Sequence, residues 1–187
     1  TRTIDFVNSI VPEVNQRIIK NEYRNKPKKI IIKNNYNVFV DQISDDIRNG
    51  KKVVMVSLCK AAVQNVTEEL VKRFPELADK MLGLHADSSK SDKESLADVN
   101  KSWADKIFLA YSPLVGAGVN FSVLNHFDNM YGYVVGESES VRGFLQMMGR
   151  IRHLQSDDIV VCVSPKMNLS ICALFSLDYS EKHYDSI

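Results

Sequence analysis

Residues 52–75, KVVMVSLCKAAVQNVTEELVKRFP, open as one kind of structure and close as another. Lys52–Ser57 is an apolar run rich in β-branched residues, the signature of a buried strand. From about Lys60 to Phe74 the chain reads as a helix, which Pro75 ends because proline has no amide hydrogen to continue it. The same alternation extends outward in both directions. IIIK (30–33) reads as a short strand. A helix follows from about Val38 to Arg48, with Asn37 as its cap and Gly50 as its stop. Downstream, MLGLH (81–85), KIFLAYS (106–112), a weaker NHFDNMYGYVV (125–135) and DIVVCVS (158–164) read as strands. Between them lie a polar, exposed helix within residues 87–103, led by a cap-like serine, and an apolar helix running from near Ser138 to the stretch FLQMMGRIRHL (144–154). Apolar strands separated by amphipathic helices imply an α/β fold: a mostly parallel central sheet with helices on both faces. Ligands of such sheets gather at the carboxyl ends of the strands. The chemistry-bearing residues are therefore expected there.

Composition sets the frame. A chain of 187 residues suffices for one domain with an appended arm, and buries about 70% of its unfolded surface on folding. The net charge of +1 excludes a wholly electrostatic nucleic-acid binder but leaves room for a local basic site. Cys59, Cys162 and Cys172 lie in apolar surroundings without a CxxC pair, which favours reduced thiols in an intracellular, reducing compartment. No apolar run reaches transmembrane length, so no membrane association is expected. The start TRTIDFV, without methionine, suggests a piece of something longer. Residues 1–29 carry a helical stripe at Phe6, Ile10, Val14 and Ile18 and read as an N-terminal helical arm or linker. Residues 30–165 form the domain, and 166–187 a C-terminal extension with a helix around Leu169–Leu177. Lys26, Lys28, Lys29 and Lys33 read as a solvated linker, and Trp103 as a packing residue.

Three stretches carry chemistry. In VSLCK, Ser57 and Lys60 lie between a strand and a helix. In AYSPLVGAGVNF (110–121), Gly116 and Gly118 permit positive φ and close backbone approach to a ligand. There Ser112 can offer a hydroxyl to phosphate, and Asn120 can bond a ribose hydroxyl. The same loop also reads as a tight turn that happens to need glycine. GAG lacks the GxGxxG spacing, so a dinucleotide-dependent oxidoreductase ranks low. In QMMGRIRH, Arg150 and Arg152 present planar cationic forks suited to phosphate. Residues at i and i+2 cannot share a helix face. Either the helix ends there or the two arginines divide the work. Gln146 shares the face of Arg150 if the helix persists, and Gly149 leaves room for close approach. A cationic helix terminus favoured by the macrodipole is the competing reading.

Taken in order, these stretches resemble the second RecA-like domain of superfamily 2 helicases. QMMGRIR resembles that family's motif VI, which carries the arginine finger. SPLVGAGVN resembles motif V, with Ser112, Gly118 and Asn120 in the matching places. VVMVSLCKAAVQNVTEEL is similar to the motif IV region, and LGLHADSSKSDKESLADVNKSWADKIFLAYS to the stretch before motif V, where a histidine, here His85, ends a strand. The flavour of GAGVNF with MGRIR most resembles replication helicases of large DNA viruses and the herpesvirus-type origin-binding protein. The sequence departs from the pattern at His153, where a second arginine is usual, and at Asn120, where an acid is usual.

The resemblance implies a RecA-like three-layer sandwich serving as the C-terminal motor domain of an ATP-dependent DNA helicase acting in replication. Arg150 and Arg152 would be catalytic. Gly118, Asn120, Gln146 and Gly149 would line the nucleotide, and Ser57, Lys60, His85 and Ser112 would contact a nucleic-acid backbone. No GxxxxGK[ST] or acidic metal box occurs; the SDD runs at 44–46 and 156–158 read as cap and turn residues. ATP and Mg²⁺ would therefore be held mainly by an N-terminal RecA-like domain of the same chain, and this piece alone would be inactive. Other implied partners are DNA, single-stranded or duplex, with RNA left open, and further replication proteins, at a site of viral DNA replication. The alternative is a non-catalytic RecA-like module that binds protein or nucleic acid.

Overall fold

The computed structural model describes residues 28–115, 118–135 and 141–164. The expected arm up to residue 27, Gly116, the C-terminal extension with its helix, and Cys172 lie outside these residues. Six strands are present among them: β1 (Lys29–Lys33), β2 (Val53–Ser57), β3 (Met81–Leu84), β4 (Phe108–Tyr111), β5 (Asn129–Val134) and β6 (Asp158–Val163). They form one sheet in the order β1-β6-β5-β2-β4-β3, and every neighbouring pair is parallel. The helices are α1 (Tyr36–Arg48), α2 (Lys60–Arg73), α3 (Lys90–Glu94), α4 (Val99–Ser102) and α5 (Val141–Met148).

Successive side chains of a strand point to opposite faces, and the core divides accordingly. Val53, Met55, Phe108, Ala110, Tyr131, Val160 and Cys162 meet Phe39, Ile43 and Ile47 of α1 and Val63, Val66 and Leu70 of α2. Val54, Val56, Leu109, Tyr111, Met130, Val161 and Val163 meet Trp103, Phe121, Phe127 and the α5 residues Phe144, Met147 and Met148. The three-layer α/β sandwich implied by the alternating elements is thus the observed fold. Trp103 is fully buried and stacks on Tyr111 with ring centroids 6.1 Å apart, so it packs as expected. Cys59 and Cys162 are free thiols, and burial pushes that of Cys162 up to about 11.

Local chemistry moves several boundaries. α1 starts at Tyr36 because Asn35, not Asn37, accepts the Val38 N–H on its side chain, at 3.2 Å. Gly50, at φ 77°, follows that helix as expected. The polar helix of residues 87–103 is broken. Ser89 caps α3 by accepting from Asp92 N–H, but Asp98, at φ -142° and ψ 84°, leaves the helical conformation and caps α4 afresh by accepting from Lys101 N–H. The SDD run at 44–46 is neither cap nor turn: Ser44, Asp45 and Asp46 lie within α1, because the Asp46 carboxylate is drawn in by groups on β5 and by Lys51. The second SDD is a turn, in which Ser156 Oγ accepts from Asp158 N–H at 3.0 Å. Lys28 and Lys29 are not linker: Lys29 opens β1, and Lys28 pairs with Asp157 at 3.2 Å.

Gly132 of β5 is where α5 comes closest to the sheet. A Cβ built there would lie 2.6 Å from Phe144 Cζ and 3.3 Å from Val161 Cγ2. Gly132→Ala is expected to cost about 1–3 kcal/mol, the usual range for overpacking, in urea denaturation. Phe144→Leu in the same chain should recover part of it; a neutral Gly132→Ala would disprove the close approach.

Candidate functional site

The expected site residues fall into two groups, at two different parts of the domain. One group lies at the carboxyl ends of β2, β3 and β4. Here the sheet reverses direction: β2 leads through α2 to β3, whereas β5 leads through α5 to β6 on the other side. That is the switch point at which open parallel sheets bind ligands. The structure closes the crevice at Ser57. Its side chain is fully buried, its hydroxyl donates to Tyr133 O at 3.2 Å and accepts from Cys59 N–H at 3.1 Å. Ser57 therefore ties β2 to β5 and opens α2; its hydroxyl is already committed. Ser112 is also buried, and its N–H donates to Leu84 O at 2.9 Å, which sets it beside the residue preceding His85. Lys60 is exposed at the start of α2 and pairs with Asp87. The Asp87 N–H in turn donates to His85 Nδ1 at 3.2 Å. Lys60, His85 and Ser112 thus share one edge, with Asp87 among them. The Lys60 partner holds the Asp87 carboxyl below its ordinary value. Nothing in the spacing of HADSS marks Asp87 as the partner of a lysine 27 residues earlier.

The second group does not lie at strand carboxyl ends. After Ser112 the described residues form turns and irregular segments and no helix, and Asp128 N–H donates to Lys52 O just before β2. Midway, Phe121 and Ile151 form a parallel bridge: Phe121 N–H donates to Arg150 O at 2.9 Å and Arg152 N–H to Phe121 O at 3.0 Å. The glycine turn and the arginine pair are therefore stitched together through the main chain. Arg152 Nε donates to Asn120 Oδ1. Asn100 of α4 holds the next residue, its Oδ1 accepting Ser122 N–H at 2.8 Å, a contact that sequence patterning does not reveal.

α5 ends at Met148, which settles how two arginines at i and i+2 coexist. Arg150 N–H closes the final turn on Met147 O at 3.0 Å, and Ile151 is already extended. Gln146 stays exposed on the last turn of α5. Arg150 Nε is buried and has no hydrogen-bond partner among the described residues. Beneath it, the Tyr111 hydroxyl donates to Met147 O at 2.9 Å; burial pushes that phenol's pKa up, and the Arg150 charge opposes the rise. Gly118 holds φ at 95°, a left-handed turn that favours glycine. A Cβ on Gly149 would meet only the Gln146 and Leu145 carbonyls, at 3.4 and 3.5 Å, so the fold itself makes little demand for glycine there.

Parts of these two segments, Asn120 and Ser122 from one and Gly149, Ile151 and Arg152 from the other, line an open cleft of 1020 Å³. Asn120, Gly149, Arg152 and His153 form its polar wall, so both residues that could supply a second cation face it. Its floor is apolar, and includes Leu124 and Leu145, 68% and 45% exposed. Ile30, Met130 and Ile159, each the second residue of its strand, place the cleft at the amino-terminal ends of β1, β5 and β6. Of the expected nucleotide-site residues, Asn120, Gly149 and Arg152 line this cleft, whereas Gly118, Gln146 and Arg150 do not. An arginine and an asparagine on an open wall, with the buried Arg150 Nε next in sequence to Gly149, fit one side of a nucleotide's phosphates and sugar. No group of three His, Cys, Asp or Glu side chains that could hold a metal ion occurs among the described residues.

The model of the family described as origin of replication binding protein matches residues 1–174. A protein of Acanthamoeba polyphaga mimivirus named as a proposed helicase, R8, is 33% identical over 147 residues, covering 78% of this chain and 14% of that protein. A second mimivirus protein, named as a proposed replication origin-binding protein, is 32% identical over 157 residues, 81% of this chain and 18% of its own length. An African swine fever virus protein named for a helicase/primase complex is 28% identical over 133 residues, 70% of this chain and 12% of its own. The chain therefore spans less than a fifth of each. Among solved structures, the Mycobacterium smegmatis helicase Lhr, bound to ssDNA and AMP-PNP, superposes with a TM-score of 0.54 at 15% identity, over 80% of this chain and 21% of Lhr. Domain 2 of the DEAD-box helicase Mss116p gives 0.51 at 13% identity, over 73% of this chain and 53% of that one. At such identities the superpositions establish the fold alone, which is RecA-like. The family match covers nearly the whole sequence, and the chain belongs to the herpesvirus-type origin of replication binding protein family.

Proposed function

We propose that this chain is the C-terminal motor domain of an ATP-dependent superfamily 2 DNA helicase acting in replication. The observation that carries the reading is the main-chain bridge between Phe121 and Ile151, which fastens the motif V segment to the arginine pair and sets Asn120, Gly149 and Arg152 on one wall of an open cleft. A wall of this kind is half of a nucleotide site, and an N-terminal RecA-like domain of the same protein supplies the other half. ATP, held with Mg²⁺ mainly by that domain, supplies the phosphoanhydride whose hydrolysis powers the motor. On this side Arg150 and Arg152 stabilise the charge that develops on the transferred phosphoryl group. Asn120 orients the Arg152 guanidinium and, with Gly118, lines the sugar side. Gly149 lets the opposing lobe approach, and Gln146 senses the nucleotide.

The other edge would contact a DNA backbone. Lys60 contributes charge, His85 a ring N–H and Ser112 its hydroxyl, and the first turn of α2, which Ser57 opens, contributes backbone amides where the helix dipole favours an anion. Such contacts hold a strand without reading its bases, as a translocating motor requires. Opening and closing of the cleft would then move one lobe along the strand. The setting is intracellular viral DNA replication, with other replication proteins as partners. The test is single replacement of Arg150 and Arg152 by alanine in the full-length protein. DNA-stimulated ATP turnover should collapse while ATP binding survives.

A further inference from the structure

Lys60, assigned above to a nucleic-acid phosphate, already has an anion on it. Its Nζ donates to the Asp87 carboxylate, and the two side chains are 55% and 65% exposed. The turn that carries Asp87 is closed on itself. Ser88 Oγ accepts His85 N–H at 2.9 Å and donates to Gly83 O at 3.0 Å, while Ser88 N–H donates to His85 O at 3.0 Å. Lys93 Nζ adds a bond to Ala86 O at 2.6 Å. Asp87 is therefore presented to Lys60 by a built turn and not by a loose side chain. The Asp87 N–H uses His85 Nδ1 as its acceptor. A neutral ring in that state carries its proton on Nε2, leaving His85 a donor for another acceptor.

We infer that Asp87 is an internal stand-in for the nucleic-acid phosphate, a residue that sets how tightly this edge holds a strand. The inference rests on the assignment of Lys60 and His85 to backbone binding. A phosphate arriving at Lys60 exchanges with the Asp87 carboxylate, and when the strand leaves, Asp87 reclaims the ammonium. An exposed ion pair is weak enough for this exchange, being worth no more than about fivefold in an equilibrium. It therefore lowers affinity without blocking the site. A motor that must release its track on every cycle gains from such a competitor, because the vacated lysine is neutralised locally.

The experiment measures binding of a fluorescent single-stranded oligonucleotide to the full-length protein by anisotropy, across a salt series. Wild type, Asp87→Asn, Lys60→Ala and the double variant are compared, after equal thermal midpoints establish intact folds. Asp87→Asn keeps the shape of the residue and removes its charge. It should tighten binding about three- to tenfold, the scale of one exposed pair plus relief of like-charge repulsion. It should also steepen the salt slope by about 0.7, since Lys60 now releases a counterion from the strand. Lys60→Ala should weaken binding, and Asp87→Asn should add little on that background. Equal tightening with and without Lys60 overturns the inference, because the effect is then general charge removal. So does unchanged or weaker binding by Asp87→Asn when Lys60→Ala weakens it. Binding unchanged by Lys60→Ala instead sinks the assignment of this edge to the backbone.

Discussion

Arg150→Ala in the full-length protein is expected to lower DNA-stimulated ATP turnover by about 10³-fold or more, the lower end of what an arginine finger contributes. Arg152→Ala should fall in the same direction. ATP binding should survive in both, because the groups that hold the nucleotide are assigned to the other lobe. The structure makes this a clean test of chemistry. The bridge that joins residues 150–152 to Phe121 is main chain on both sides, so alanine keeps it. Arg150 Nε has no protein hydrogen bond to lose among the described residues. Arg152 differs: truncating it frees the Asn120 carbonyl oxygen, so Asn120→Ala should reproduce a small part of its effect. Arg150→Lys keeps the charge but not the planar fork, and should remain far below wild type. Measured turnover close to wild type in Arg150→Ala and Arg152→Ala would leave the pair as a structural hinge and end the motor reading.

The strands were legible because each is a continuous apolar run, and a fully covered parallel sheet demands that. VVMVS, FLAY and the run through Val163 are buried along nearly their whole length. The adjacency of the two motif segments was also legible, through resemblance. Its location was not. The rule that ligands gather at strand carboxyl ends places Arg150 and Asn120 beside Ser112, whereas Asn120 lies in the irregular stretch between Ser112 and Asp128 and lines a cleft at the opposite end of the sheet. An irregular segment has no period, so its path leaves no mark in the pattern of residues. Ser57 shows a second limit. A serine at a strand end reads as a ligand donor, but its hydroxyl is consumed by Tyr133, 76 residues away. Gly132 reads as a weakness in a strand until Phe144 is seen above it. In each case the deciding partner is remote in sequence, and single-sequence patterning carries only local information.

Asp46 is the extreme of that remoteness, and its replacement is the largest stability effect expected. The residue is buried in the last turn of α1, and its carboxylate accepts from Tyr131 Oη at 2.6 Å and Asn129 Nδ2 at 2.5 Å, both on β5, and from Lys51 Nζ at 2.9 Å. Burial alone would raise the carboxyl pKa; the hydrogen bonds from Tyr131, Asn129 and Lys51, with the Lys51 charge, outweigh it and hold the pKa below the ordinary value. Burial, followed by the bond to Asp46, pushes the Tyr131 phenol up. Asp46→Ala leaves a buried hydroxyl and an amide without their acceptor, and should cost about 3 kcal/mol in urea denaturation at pH 7. Asp46→Asn keeps the size but supplies a weaker acceptor and a misplaced donor, and should cost about 1–2 kcal/mol. The charge component has a definite pH dependence. A carboxyl whose folded pKa is depressed stabilises the fold above its unfolded value, near 3.9, and loses that contribution as pH falls through the folded value. The stability gap between wild type and Asp46→Asn should therefore narrow as pH is lowered from 7 toward 3. A gap that stays constant over that range would mean that the carboxylate's charge does nothing, and that shape alone joins α1 to β5.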